Sequence, residues 1–313
     1  MIRIVVTGGA GFIGSSFVNL MNEYSNTHNL FDIIVVDSMT YASNPELLPE
    51  GVTVIQKDIC GLKKSDIGEV DYIVNFAAES HVDNSISDGS PFIHTNILGT
   101  YNLLQVARQM THLEKFVQIS TDEVYGDLTN TEPKDYYDHT HMSKEDDVHR
   151  PSSYYSASKS AADGLVVAAN RTYDLPYLIT RTCNNYGIHQ HNEKFLPKVL
   201  NCVEDDQPIP LYGDGEHIRE WIWVEDNVRM IFDLMISEFG IWNIGSGDRY
   251  TNKEILKGLS EITNKHVRVE HVKDRLGHDR RYGLDSSKLH ENYNDNYTTI
   301  TLMEYLRTYI TQT

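Results

Sequence analysis

Ile2–Thr7, running into Gly8-Gly9-Ala10-Gly11-Phe12-Ile13-Gly14, constrains this chain more than any other stretch. A β-branched run enters a turn with glycines at 8, 11 and 14, and an apolar helical pattern leaves it. Glycine there permits a tight turn, lets the backbone N–H groups of residues such as Phe12 and Ile13 approach a pyrophosphate, and lets the helix pack closely on the sheet. A glycine triplet alone is a weak signal. Between a strand and a helix, with an acid closing the next strand, it becomes a strong one. That acid is Asp37, suited to a ribose 2′-hydroxyl and repellent to a 2′-phosphate. No Arg or Lys between Ser38 and Asn44 offsets the repulsion, so NAD is expected rather than NADP.

The same alternation continues down the chain. Ile33–Asp37, Val52–Gln56, Tyr72–Phe76, Lys115–Ser120 and Tyr177–Arg181 read as strands that are apolar almost throughout, as a sheet covered on both faces requires. Helical patterns over Ile13–Tyr24, Pro91–Met110 and Ser153–Tyr173 separate them. This predicts an α/β fold: a Rossmann-like, doubly wound parallel sheet. After about residue 181 the rhythm shortens, with helices expected near Val224–Glu238 and Asn252–Thr263. The predicted division is a Rossmann domain over 1–180 plus about 216–240, and a smaller α+β cap over 181–215 and 241–313. Pro91–Met110 and Ser153–Tyr173 carry apolar residues on more than one face, which suggests a homodimer through a helix bundle.

Composition narrows the partners. Of 313 residues, 27 are Lys or Arg and 45 are Asp or Glu, a net charge of −18 that argues against nucleic acid and anionic membranes. The three cysteines, Cys60, Cys183 and Cys202, lack a metal-binding spacing, and the scattered histidines form no HExxH, so neither a disulfide framework nor a metal is expected. The N-terminal apolar run is short and broken by glycine, unlike a secretion signal, and no run of about 18 apolar residues occurs. A soluble cytoplasmic protein is the expectation.

Two clusters carry chemistry. Tyr155 and Lys159 are four residues apart and share one helix face. An ammonium there favours the phenolate, which can take a proton from a substrate hydroxyl as a hydride leaves its carbon. Thr121-Asp122-Glu123 follows an apolar strand and adds two carboxyl groups that alcohol oxidation alone does not need. A β-elimination does need an acid and a base in opposite protonation states. Asp58-Ile59, at the end of the third strand, is placed for an adenine amino group or for a simple turn. Ala77-Ala78, after the fourth, supplies small residues beside a cofactor or merely close packing.

The segments TGGAGFIGS, VDSMTYASN, FAAESHVDNSI, STDEVYG, YSASKSAADGL, RTCNNYG, EKFLP, LYGDGEHIREWIWVED, WNIGSG and DRLGHDRRYGLD run from residue 5 to about 288. In that order they resemble the nucleoside-diphosphate-glucose 4,6-dehydratases, a branch of the extended short-chain dehydrogenases/reductases. The resemblance implies oxidation of the hexose at C4 by NAD, loss of water across C5 and C6, and hydride return to C6. It implies Asp122 as the acid, Glu123 as the base, and Thr121 as the hydroxyl bonded to the C4 oxygen. It adds Thr40 to the cofactor residues. It makes the cap a nucleotide-sugar site with Arg219, Arg275, Asn184, Asn185, Lys194, Asn243, His278 and Ser80 as substrate residues. Guanidinium groups suit a diphosphate because they bind it bidentately. Leu276 stands where the family usually has proline, and Thr182-Cys183 where it commonly has Cys-Ser.

Related 4-epimerases share the glycine turn and the YxxxK pair but usually carry small hydroxyl residues where Asp122 and Glu123 stand. A 4-epimerase and a catalytically silent NAD-binding scaffold are the competing readings. dTDP-glucose is favoured as substrate on family frequency, with UDP-glucose a serious alternative. A 6-deoxyhexose route such as that to rhamnose is implied downstream.

Overall fold

Every strand expected in the first half forms within a residue or two of its predicted limits. In the computed structural model, residues 1–28, 30–130, 141–264, 266–293 and 297–312 are described. They divide into two compact units.

The first unit comprises Met1–Thr121, Ser153–Arg181 and Asn227–Trp242. Its strands are β1 (Ile2–Thr7), β2 (Phe31–Asp37), β3 (Thr53–Gln56), β4 (Tyr72–Asn75), β5 (Lys115–Thr121) and β6 (Tyr177–Thr182). With Gly240–Ile244 they build a seven-stranded sheet in the spatial order Gly240–Ile244, β6, β5, β4, β1, β2, β3. Strands β1 to β5 pair in parallel, and the order reverses between β1 and β4. A ligand crevice opens at such a reversal, beyond the carboxyl ends of the strands. That is where Thr7-Gly8 and Asn75–Ala77 lie. Val5, Ile34, Ile73, Phe116 and Ile179 are buried on the sheet, with Leu103, Leu104 and Val166 of the covering helices in the same cluster.

The helix Tyr154–Tyr173 starts on a reciprocal cap, in which Ser153 and Ser156 each bond the other's backbone N–H. It ends at Asp174 in a left-handed conformation. The expected helix Pro91–Met110 is not uniform. A short turn Ser90–Phe92 passes into a π-helical segment Ile93–Gly99 and then an α-helix Thr100–Ala107. The wider winding accompanies a buried polar side chain, Asn96, which bonds outward to Glu79 and Ser158. At its end Gly99 touches Ile59 so closely that a Cβ would lie 2.5 Å from the side chain.

The second unit comprises Asp122–Ser152, Thr182–Asp226 and Asn243–Thr313. Its strands are β7 (Asn184–Tyr186), β8 (Ile209–Tyr212), β9 (Ile218–Trp223), β11 (Arg249–Thr251) and β12 (Val269–Val272), the Gly240–Ile244 strand of the seven-stranded sheet being β10. β9 lies between β7, parallel to it, and β11, antiparallel; β8 and β12 form a parallel pair. Helices Phe195–Glu204, Asn252–Thr263 and Leu302–Gln312 cover these small sheets. Leu196, Leu211, Trp221, Leu259, Leu302 and Leu306 are among their shared core. The segment 122–152 and β9, placed with the Rossmann region by sequence pattern, group here instead. Among the described residues β9 pairs only with strands of this unit, and the Asp127 carboxylate accepts the backbone N–H groups of Arg280 and Arg281.

Candidate active site

The turn after β1 is built around absent side chains. Gly8 has φ +67°, and a Cβ on it would lie 2.6 Å from the nitrogen of Ala77. A Cβ on Gly14 would lie 2.2 Å from the carbonyl oxygen of Gly8. Ala77 is therefore part of the cradle, because its backbone touches the turn. The helix Phe12–His28 begins directly after it, so the N–H groups of its first turn face the carboxyl end of the sheet. Asp37 is buried at the end of β2; its carboxylate accepts from Ala10 N (3.0 Å), Met39 N (2.9 Å) and Ser43 Oγ (2.8 Å). A carboxylate has about four acceptor positions. The side chain is thus locked against the glycine turn with capacity left for a hydroxyl. The cradle and this acid fit an adenine dinucleotide.

Asp58 shows the turn role that sequence left open. It caps the short turn Ile59–Gly61, accepting from Cys60 N at 2.7 Å, and pairs with His94 Nε2 at 2.9 Å. Partial burial pushes its carboxyl up, but these bonds bring it below its ordinary value. Thr40 and Ser80 are exposed, and Ala78 is half-buried.

Lys159 is buried in the first unit, its ammonium donating to the Ile119 carbonyl of β5 at 2.5 Å. Burial lowers its pKa to about 8, partly opposed by Asp163 one turn later. Tyr155, a turn earlier, meets Phe92 edge-on, the ring centres 6.3 Å apart. Asn96 donates to Ser158 Oγ, which itself donates to the Tyr155 carbonyl. Asn96 thus fixes the backbone of the tyrosine, a role sequence reading missed. The signal was an asparagine next to an apolar pair within the helical stretch FIHTNILG. Thr121 closes β5, and Asp122 and Glu123 open the 3-10 turn Asp122–Tyr125 directly after it.

In the second unit Glu123 is surrounded by charge. Burial raises its carboxyl pKa; Arg219, Arg275 and Lys194 oppose the rise, while Asp279 adds to it. The structure therefore brings three expected substrate residues, Arg219, Arg275 and Lys194, into one electrostatic environment with the expected base, Glu123. His278 stacks on His217 with ring centres 3.7 Å apart and bonds Asp274 at 2.7 Å. Burial, together with Arg275 and Arg219, keeps the His278 ring neutral by lowering its pKa. Asn185 is buried and donates to the Cys183 carbonyl, whereas Asn184 is half-buried on β7. Asn243 is fully buried. Its amide oxygen accepts from Tyr125, and its amide nitrogen donates to the Ser143 and Asp285 carbonyls. Those bonds make it an internal tie of this unit.

Comparison with known proteins places the chain in a family. A family described as the NAD dependent epimerase/dehydratase family matches residues 4–245. The low-salt glycan biosynthesis protein Agl12 of Haloferax volcanii is 41% identical, over 91% of this chain and 90% of that one. The dTDP-glucose 4,6-dehydratase of Haemophilus influenzae is 40% identical over 93% and 91%. The crystal structure of DesIV, a dTDP-glucose 4,6-dehydratase from Streptomyces venezuelae that holds NAD, superposes with a TM-score of 0.88 at 38% identity, covering 98% of this chain and 95% of that one. Among the described residues no helix is long and apolar enough to cross a membrane. From the glycine turn to the strand Gly240–Ile244, this chain belongs to the NAD dependent epimerase/dehydratase family.

Proposed function

We propose that this chain dehydrates dTDP-glucose to the 4-keto-6-deoxy sugar, acting as a hydro-lyase with NAD as cofactor. The observation that carries the reading is the acid pair directly after β5, with Glu123 among Arg219, Arg275 and Lys194. When bound, NAD supplies a hydride acceptor that later gives the hydride back. Gly8, Gly11, Phe12, Ile13, Gly14, Asp37, Thr40, Asp58, Ile59, Ala77 and Ala78 would hold it, together with Tyr155 and Lys159, which would also handle the proton of the hydroxyl it oxidises.

At neutral pH Lys159 is protonated, since its pKa is near 8. One of its three N–H donors is committed to Ile119, which orients the ammonium. Its charge stabilises the Tyr155 phenolate, and that phenolate accepts the C4 hydroxyl proton, with Thr121 donating to the same oxygen. The 4-ketone acidifies the C5 proton. Glu123, made more basic by burial, removes it while Asp122 protonates the departing C6 hydroxyl, so that water leaves. Arg219 and Arg275 bind the diphosphate, with Lys194, Asn184, Asn185, His278 and Ser80 lining the nucleotide sugar. Asn243 acts by holding the segments around them.

A 4-epimerase has no use for an acid and a base at 122 and 123, so the dehydratase reading is preferred to it. Thymine and uracil differ by one methyl group, worth about 1–3 kcal/mol in an apolar pocket, so UDP-glucose is a slower substrate in this reading. Exposed Leu98, Tyr101 and Tyr154, on the two helical stretches with apolar residues on several faces, suit a homodimer contact. The test is incubation with dTDP-glucose and measurement of the keto product's alkaline absorbance. Glu123→Gln should lower formation by about 10²–10⁴-fold while NAD stays bound. Turnover of that variant near the wild-type rate would remove Glu123 from the mechanism.

A further inference from the structure

Arg219 is an unusual buried cation. It is 7% exposed on β9, and among the described residues its guanidinium forms no ion pair. Nη1 donates to the Ile218 carbonyl and Nη2 to the Asp279 carbonyl, each at 2.8 Å. The carbon at the centre of the guanidinium lies 4.4 Å from the centre of the Tyr282 ring. A buried charge is costly unless something compensates it. Here carbonyl dipoles and the negative face of an aromatic ring touch it, while the Glu123 and Asp279 carboxyls act on it electrostatically without forming an ion pair. A carboxylate in the same place would compete with an anionic ligand.

The ring is itself held. The Tyr282 hydroxyl donates to Asp279 Oδ2, and Ser152 Oγ donates to the same oxygen. Tyr282 and Asp279 are each 5% exposed. The strap bearing them runs along β9, with Ile218 N bonded to the Arg280 carbonyl at 2.9 Å and Tyr282 N to the Ile218 carbonyl at 3.4 Å. Asp127 anchors the strap by accepting from Arg280 N at 3.1 Å and Arg281 N at 3.3 Å. At its start Gly277 has φ +63° and passes so near the Ser152 carbonyl that a Cβ would come within 2.8 Å.

We infer that Tyr282 is a positioning residue that orients the Arg219 guanidinium toward the anionic group of the ligand, and that Asp279 with Ser152 fixes the ring. The inference rests on the reading of Arg219 as a diphosphate ligand. Bidentate pairing with phosphate requires the guanidinium to be held in orientation, and a ring face beneath it restricts that orientation where a point charge would not. Burial raises the Asp279 pKa, while the bonds from Ser152 and Tyr282 and the Arg219 charge oppose the rise.

The test is a double-mutant cycle in the full-length NAD-loaded protein, with NAD content and thermal melting checking the fold of each variant. Binding of dTDP and of inorganic pyrophosphate is measured by calorimetry, and kcat and KM with dTDP-glucose. Tyr282→Leu should weaken both ligands and raise KM about 10-fold, a change of about 1.4 kcal/mol, with kcat nearly constant. Tyr282→Phe keeps the ring and should change binding by less than about 3-fold, roughly 0.7 kcal/mol. In an Arg219→Lys background Tyr282→Leu should add less than about 2-fold, because its target is gone. An equal penalty in both backgrounds, or a fall in kcat without a rise in KM, overturns the inference. Wild-type protein that binds dTDP and pyrophosphate but forms no keto sugar would sink the dehydratase reading alone, and the binding cycle would still decide the role of Tyr282. Failure to bind either ligand overturns the inference.

Discussion

The two units bury polar groups in opposite ways. In the first, the sheet core is apolar apart from a short buried chain, Thr7–Asn75–Gln118, and its buried charges are anchored at the sheet: Asp37 at the end of β2, Lys115 and Lys159 on backbone carbonyls, and Arg181 of β6 paired with Asp163 at 3.0 Å. In the second, two small sheets bury His217, Arg219, Glu220, Asp279 and Arg281. Long-range hydrogen bonds join loops that have little regular structure of their own. The first unit is therefore held mainly by area removed from water. The second relies more on polar pairs whose loss leaves buried donors unsatisfied.

The sharpest way to break this contrast is at Glu220. Its carboxylate is buried and accepts from Gly247 N at 2.8 Å, Leu284 N at 3.1 Å and Arg249 Nε at 2.9 Å. Glu220→Ala should cost about 3–5 kcal/mol, because it strands a guanidinium and two N–H groups. Ile73→Val in β4 should cost only about 0.5–1.5 kcal/mol. Denaturant unfolding of both variants, followed by a probe in each unit, checks the comparison. Equal losses would mean that the polar network contributes no more than ordinary packing.

The same contrast explains what could be read from sequence. Parallel strands covered on both faces are uninterrupted apolar runs, so Ile2–Thr7 and Tyr177–Arg181 were legible, as were the glycine turn and the acid after β2. The helix Asn252–Thr263 was legible too, because Thr251 and Glu254 cap it reciprocally. The strap that orients Arg219 was not. Its bonds join residues such as Ser152 and Asp279, which are 127 positions apart, and neither carries a local pattern. The π-helical turn was hidden for a related reason, since its polar residue Asn96 is satisfied by Glu79 and by Ser158, 62 positions away. Leu302–Gln312, whose apolar face packs in the second core, was also missed.

A smaller effect sharpens the first unit's side of the comparison. Gly14→Ala forces a Cβ to within 2.2 Å of the Gly8 carbonyl oxygen, so the turn or the helix must shift. Overpacking of this kind costs about 1–3 kcal/mol. The variant should also lose NAD on gel filtration, because the cradle opens. Gly164→Ala is the matched control: it lies in the helix Tyr154–Tyr173 with open space around it. That change should stabilise the protein by up to about 1 kcal/mol through helix propensity. Retention of NAD by Gly14→Ala would show that the close approach is not what holds the dinucleotide.

The finest test uses pH, because Lys159 links the apolar unit to the chemistry. Its folded-state pKa of about 8 is depressed by burial, against an ordinary value of 10.5. Between these values the unfolded chain binds more protons, so this group makes the fold more stable as pH rises through that window. Activity should move the other way. Loss of the ammonium above about 8 removes the charge that favours the Tyr155 phenolate, so kcat/KM should fall there. In Lys159→Arg the charge does not titrate in this range, and the alkaline fall should move beyond it whatever the absolute rate. Rate and melting temperature recorded across the same pH series separate the two effects. A wild-type rate that holds steady to pH 10 would mean that Lys159 keeps its proton despite its burial.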